Sequence, residues 1–114
     1  MSSGFAGSTA PSQQIIAEAS REFELTDEVG RVLRIRRPGA LDRLRLFKAV
    51  GPALASNDRY VGYAMLAMCV TSIDGVPQPA PANEGQLEAL VQRLGDAGMV
   101  AVGQELANAE RGNR

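Results

Sequence analysis

Apolar and polar residues alternate along residues 21–36, a pattern that predicts two β-strands joined by a turn. Phe23 and Leu25 alternate with glutamates, and Leu33 and Ile35 alternate with arginines. Successive side chains of a strand point to opposite faces, so one face of this hairpin is apolar and the other is charged. In an antiparallel pairing, the glutamates of one strand lie opposite the arginines of the other.

After Pro38-Gly39 the apolar spacing changes to three or four residues, which is typical of helices. The spacing predicts four helices, at about 40–55, 59–72, 84–94 and 97–109. The buried face of the first helix is expected to consist of Leu41, Leu44, Phe47, Val50 and Leu54. The last two helices are joined by the short segment 94–96, so we expect them to pack as an antiparallel pair.

The segment Val61–Ile73 carries no charge, and its apolar residues lie on every side of a helical wheel. A helix that is apolar all round is expected to be buried on all sides. It is too short for a bilayer, which requires about twenty residues. We therefore predict a central helix at 59–72, which Asp74-Gly75 ends because this pair favours turns. The fold class predicted is α+β and mostly helical, with an N-terminal antiparallel hairpin and helices packed around this one.

The length of 114 residues suits a single domain, which we place at 21–110. Residues 1–20 are rich in Ser, Gly and Ala, so we expect a flexible segment, with Ile15-Ile16 able to dock onto the domain. That segment lacks the basic start and apolar run of a signal peptide. Residues 111–114 form a polar tail that is expected to fray.

Charge is unevenly distributed, although the net charge is only −1. Residues 31–48 contain seven basic side chains and one acidic one, whereas most of the charged residues in 1–30 are acidic. Neighbouring elements of opposite charge commonly form ion pairs with each other, so pairing within the domain can account for the basic cluster. The alternative is a phosphate-binding patch for nucleic acid. Phe47 is the only aromatic residue in this stretch and is expected to face inward, so base stacking lacks support.

The residue types needed for common catalytic and metal sites are scarce. The chain has no histidine and one cysteine, Cys69, which lies in the most apolar stretch. Burial disfavours the thiolate, so we expect Cys69 to behave as a small buried hydrophobe. Lys48 is the only lysine and lies on a solvated helix face. We expect no catalytic residue, no metal or cofactor site, and no enzymatic activity.

Two stretches resemble a known family. The sequences GRVLRIRRPGALDRLRLFKAVG and SIDGVPQPAPANEGQLEALVQRLGDAGMVAV are similar to those of the tail assembly chaperones of long-tailed bacteriophages and prophages. The similarity covers roughly residues 25–106. Its most characteristic pieces are Ser72–Pro77, followed by Pro81, and Leu94–Gly98. Neither piece is a catalytic signature, since one is a turn and the other a helix joint.

The resemblance implies a chaperone of virion morphogenesis that acts in the bacterial host cytoplasm. It implies binding to the tape-measure protein, which is held soluble until tail-tube subunits polymerise around it. Members of the family are typically absent from the finished particle, and some also have a longer form made by ribosomal frameshifting. The family has no motif of functional side chains that could be transferred to residues of this chain.

Candidate partner-binding residues come from the basic cluster and from the methionines. Methionine side chains at helical spacing can form an adaptable surface of the kind used by promiscuous binding proteins. The candidates are Arg34, Arg36, Arg43, Met65 and Met99. The expected partners are the tape-measure and tail-tube proteins, without membrane or nucleic acid, and self-association remains open. The alternative functions are a nucleic-acid-associated phage protein that uses the Arg31–Lys48 cluster, and a structural tail or neck component retained in the virion.

Overall fold

A computed structural model describes residues 22–112 and the side chains of residues 22–109. The elements are β1 (Glu22–Thr26), β2 (Val32–Arg36), α1 (Ala40–Ala55), α2 (Asp58–Met68), β3 (Val70–Ile73), β4 (Val76–Pro77) and α3 (Glu84–Gly112). The strands form one antiparallel sheet in the order β1-β2-β3-β4. The predicted α+β class is therefore confirmed. The predictions for residues 1–20 and for the end of the tail, residues 113–114, lie outside the described residues.

The N-terminal hairpin has the predicted faces and register. Glu24 lies opposite Arg34, and both side chains are on the charged face with Glu22. Arg34 forms exposed ion pairs with the two glutamates, at N···O distances of 3.4 Å to Glu22 and 3.6 Å to Glu24. On the other face, Leu33 and Ile35 are completely buried. The alternation of apolar and charged residues thus predicts correctly which face of the sheet packs against the core.

The predicted central helix is shorter than expected. Helix α2 ends at Met68, and the chain continues as strand β3, so the prediction of helix to residue 72 was wrong beyond this point. Val70, Thr71 and Ile73 are β-branched, which favours a strand where one can pair. The pairing strand is β2. One edge of β2 pairs with β1, and the other edge is free to pair with β3.

The Asp74-Gly75 pair forms the turn of a second hairpin between β3 and β4. Both residues have positive φ, 49° and 81°, which is the geometry of the two-residue turns that favour Asp-Gly. The Val32 backbone N–H donates to Asp74 Oδ1 at 2.8 Å, and the Asp74 N–H donates to the Val32 carbonyl at 2.7 Å. These two bonds extend the β2–β3 pairing beyond the last paired residues.

Helix α1 is rotated relative to the sequence-based expectation. Leu41 and Leu44 are exposed, by 55% and 62%, although they were predicted to face the core. The buried positions are Asp42, Leu46 and Val50, which recur every four residues. This orientation follows from Asp42, whose carboxylate must reach its hydrogen-bond partners beside the sheet. The predicted burial of Leu41 and Leu44 was therefore wrong.

Helix α3 spans both helices expected at the C-terminal end and is broken at the predicted joint, so the described residues contain three helices when the two parts of α3 are counted together. Its 29 residues are helical except at Gly95, where φ is 65° and ψ is −176°. This conformation is essentially restricted to glycine. The expected joint at residues 94–96 is thus a break of a single residue and not a loop.

The core lies between the sheet and the three helices, with α2 in contact with α1, α3 and β3. Its largest fully buried side chains are Leu33, Ile35, Leu46, Leu87, Leu90, Leu94 and Val102. Helix α2 is not buried on all sides as predicted, because Gly62 and Tyr63 face outward. Within residues 22–112, none of the helices combines the length and apolar character needed to cross a membrane.

Candidate protein-binding groove

A groove runs between α2 and α3, and Tyr63 lies at its centre. Tyr63 is 49% exposed and lines three depressions of about 160, 450 and 400 Å³. The three depressions lie next to one another around Tyr63, and we call the surface that they form together the α2/α3 groove. From α2 it is also lined by Tyr60, Ala64 and Leu66.

Helix α3 lines the groove with a single stripe of residues that continues through the break at Gly95. Pairs of lining residues recur every four positions, as expected for one face of a helix. The stripe consists of Leu87, Glu88, Val91, Gln92, Gly95, Asp96, Met99, Val100, Gly103, Gln104 and Ala107. Gly95 therefore changes the path of the helix without turning this face away from α2.

The chemistry of the α2/α3 groove is mainly apolar. Val100 is 53% exposed on one wall, whereas Met99 and Leu87 are almost completely buried beneath the surface. Small residues such as Gly103 and Ala107 leave the open space at the C-terminal end. A concave apolar surface of this kind suits the apolar face of an amphipathic helix.

The charged side chains on the walls of the groove are acidic, Glu88 and Asp96. The charge of Glu88 also affects Tyr60, whose pKa is raised above its usual value, first because of burial and then because of the negative charges of Glu84 and Glu88. The phenol therefore remains protonated and neutral at neutral pH. No lysine or arginine is among the residues described as lining these three depressions.

The structure separates the residues predicted to bind a partner. Met99 lines the groove, whereas Met65 is buried in the core. Arg34 lies on the charged face of the sheet, and Arg36 lies on the same strand but contacts α1. Arg43 is exposed on α1. These five side chains do not make up one surface, and Met99 is the one that belongs to the groove.

Arg36 and Asp42 form a bidentate ion pair that attaches α1 to the sheet. Two guanidinium nitrogens of Arg36 donate to the Asp42 carboxylate at 2.8 and 2.7 Å, and the Gly39 N–H donates to the same carboxylate at 2.7 Å. The hydrogen bonds from Arg36 lower the pKa of Asp42 and outweigh the opposite effect of burial. Arg36 is therefore engaged within the domain.

Arg31 is also engaged within the domain. Its Nε donates to Asp27 Oδ2 at 2.8 Å, and its terminal nitrogens donate to the carbonyls of Arg93 at 2.7 Å and Leu94 at 2.6 Å. Burial alone would raise the pKa of Asp27, but hydrogen bonds from Arg31 and from the Val29 N–H together lower it. The basic residues of the cluster that are exposed and form no ion pair with a described residue are Arg37, Arg43, Arg45 and Lys48.

Cys69 has the environment predicted for a structural thiol. It is buried, and its Sγ donates to the Met65 carbonyl at 3.1 Å. Burial raises its pKa to about 12, so the thiol is neutral at physiological pH. Elsewhere in the described part of the chain, no group of three or more Cys, Asp or Glu residues is placed to hold a metal ion.

Sequence reasoning missed most of the groove, including Tyr63 and Val100. The predicted break at Gly95 is confirmed, but local spacing does not reveal that the helical faces before and after it both meet α2. Tyr63 was assigned to a fully buried helix. Comparisons of the chain with protein-family models, with curated proteins and with solved structures gave no match.

Proposed function

We propose that this protein is a tail assembly chaperone of a long-tailed bacteriophage or prophage. It acts without catalysis in the cytoplasm of the bacterial host, where it binds the tape-measure protein, keeps it soluble and helps to recruit tail-tube subunits. The observation that carries the proposal is the α2/α3 groove, an exposed apolar surface suited to an amphipathic helix. The resemblance to the family supplies the identity of the partner.

The residues that carry the resemblance have structural roles that support this use of the groove. Ser72–Pro77 contains the β3–β4 turn, and Leu94–Gly98 contains the break in α3. Gly95 and Asp96 themselves line the groove. Leu94–Gly98 thus contributes to the groove, whereas Ser72–Pro77 belongs to the sheet, and neither piece supplies catalytic side chains.

The physical character of the groove suits a chaperone that must later release its partner. Its contacts are apolar and lie at the surface, so they do not need a desolvated network of charges. Covering its apolar face keeps a long, aggregation-prone helix soluble. Because each contact is shallow, little free energy is lost when one of them is broken. Apolar burial is not screened by salt in the way that exposed ion pairs are. The complex is therefore expected to survive moderate salt.

Co-expression with the tape-measure protein of the same phage tests the proposal. The tape-measure protein should become soluble and co-purify with the chain. Val100→Glu should abolish co-purification because it replaces an apolar contact with a charge that would be buried against the apolar face of the partner. Val76→Glu is the matched control, since Val76 is a valine of similar exposure, 60% against 53%, on strand β4. Circular dichroism of both variants checks that they are folded.

Three results would oppose the proposal. If the tape-measure protein were equally insoluble with and without the chain, the chain would lack the proposed chaperone activity. Stoichiometric amounts of the chain in purified virions would assign it to the structural tail or neck components. Equal behaviour of Val100→Glu and Val76→Glu would show that the partner binds elsewhere on the domain.

A second candidate function is favoured by the exposed basic residues of α1 and of the segment before it. Arg37, Arg43, Arg45 and Lys48 are exposed, and none forms an ion pair among the described residues. Such a cluster can contact phosphates. Micromolar DNA binding at physiological salt that is lost in Arg45→Ala plus Lys48→Ala would favour nucleic-acid association over the chaperone.

A further inference from the structure

The acidic side chains of the α2/α3 groove lie on both sides of the break in α3. Glu88 lines the depression beneath Tyr60, whereas Asp96 lines the wider part near Met99. Tyr63 lies between them, since it lines the depressions on both sides. Both carboxylates also line the depression next to Tyr63 and Gly95, so the negative charge lies in this part of the groove.

No basic residue whose side chain is described neutralises these two carboxylates. Arg93 follows on the same helix, but its Nε donates to Gln78 Oε1 at 3.0 Å on a different face. Arg59, the only basic residue of α2, is exposed and does not line the described depressions. Among the described residues, Glu88 and Asp96 form no ion pair. Their charge is thus available to a bound partner.

We infer that the α2/α3 groove selects a basic amphipathic helix, with Lys or Arg residues on the flanks that face Glu88 and Asp96. This inference rests on the proposed function, because it describes the partner segment that the same groove would hold. The apolar face of such a helix, with residues at i, i+3, i+4 and i+7, covers Tyr63, Val100 and the floor of the groove. Its cations approach the two carboxylates, whereas acidic flanks are repelled.

The two kinds of contact contribute differently to recognition. Burial of the apolar face provides most of the affinity, since exposed ion pairs contribute little individually. The charges provide discrimination, because like charges placed together disfavour the wrong partner. The groove can therefore hold different apolar sequences while it rejects acidic helices.

A competing occupant is a second copy of this chain. Helix α1 exposes Leu41 and Leu44 together with Arg43, Arg45 and Lys48, so its outer face is itself basic and apolar. The test must therefore separate a peptide partner from self-association. Size-exclusion chromatography with light scattering on the chain alone does this across a range of concentrations.

Three synthetic helical peptides with the same apolar face test the inference. Their polar positions are all Lys, all Glu or all Gln, and their dissociation constants are measured by fluorescence anisotropy. At about 50 mM salt the Lys peptide should bind about tenfold more tightly than the Glu peptide, with the Gln peptide between them. At about 1 M salt this difference should largely disappear because charges are screened.

Charge-reversed variants identify the residues responsible. Glu88→Lys plus Asp96→Lys should reverse the order of the Lys and Glu peptides. Glu24→Lys plus Glu28→Lys changes the net charge equally but alters exposed residues of the N-terminal hairpin, so the original order should persist. An unchanged order in the first variant would overturn the inference.

The remaining outcomes distinguish this inference from the proposed function. Equal binding of all three peptides, abolished by Val100→Glu, would retain the groove as the binding surface and overturn charge selection. Failure of every peptide to bind, together with unimpaired tape-measure binding by Val100→Glu, would overturn both proposals. A wild-type dimer or larger species that Glu88→Lys plus Asp96→Lys converts to a monomer would assign the groove to a second copy instead.

Discussion

Arg31 connects the N-terminal hairpin to the break in helix α3. A break leaves helix carbonyls without their usual N–H partners, and Arg31 supplies donors to those of Arg93 and Leu94. A cation is also favoured at the C-terminal end of a helical segment by the helix dipole. The same guanidinium pairs with Asp27, whose side chain is completely buried. One side chain thus donates hydrogen bonds both to a buried carboxylate and to the carbonyls at the break.

Replacement of Arg31 by alanine should destabilise the domain strongly. It leaves the buried Asp27 carboxylate without its ion-pair partner, a change that typically costs about 3–5 kcal/mol. Arg34→Ala is the matched control, because Arg34 forms only exposed ion pairs, which contribute about 0.2–1 kcal/mol. Urea denaturation of both variants measures the free energies of unfolding. Similar losses in the two variants would show that the Arg31 contacts are not important for stability.

At the scale of elements, the stability of α3 depends on a glycine at position 95. Its conformation, with φ of 65° and ψ of −176°, is one that other residues adopt only under strain. Gly98 is placed in the next turn, where an added Cβ would lie 3.0 Å from Leu94 Cβ and 3.3 Å from Arg31 Nη2. Glycines at these positions allow the chain to bend closely around the Arg31 guanidinium.

Two glycine-to-alanine substitutions should therefore have effects of opposite sign. Gly95→Ala should cost about 1–3 kcal/mol because alanine is strained at this φ and ψ. Gly62→Ala should stabilise by about 0.5–1 kcal/mol, since Gly62 lies inside α2 with open space around it and alanine favours helix. Thermal and urea unfolding measure both changes. Stabilisation by Gly95→Ala would mean that the break is not a feature of the folded protein.

At the scale of the whole molecule, one core unites the sheet and all three helices. Strand β2 contributes Leu33 and Ile35, α1 contributes Leu46, α2 contributes Met65, and α3 contributes Leu94. A single shared core is expected to unfold cooperatively, so the loss of one contact lowers the stability of the whole domain.

Two aspartate substitutions distinguish the core from the exposed face of α1. Met65→Asp should unfold the domain, because a buried charge without a partner costs several kcal/mol against a typical stability of about 5–15 kcal/mol. Leu44→Asp should change stability by less than about 1 kcal/mol, since the side chain is mostly exposed. Circular dichroism melting curves compare the two variants. Unfolding by Leu44→Asp would contradict the orientation of α1.

The sequence by itself determined the N-terminal hairpin, its register and the helical character of most later segments. These features depend on neighbouring residues, since the period of the apolar positions distinguishes a strand from a helix. Glu22 and Glu24, for example, were placed opposite Arg34 and Arg36 by alternation and turn position alone. The environment of Cys69 followed in the same way from the apolar residues around it.

Tertiary structure decided the features that depend on distant partners. Residues 70–73 form a strand and not a helix because β2 offers them an edge, and α1 turns Asp42 inward because Arg36 binds it there. The α2/α3 groove likewise exists only where two helices meet, with Tyr63 on one and Val100 on the other. Local periodicity cannot predict such contacts, because an element's orientation is set by the free energy of the whole packing arrangement.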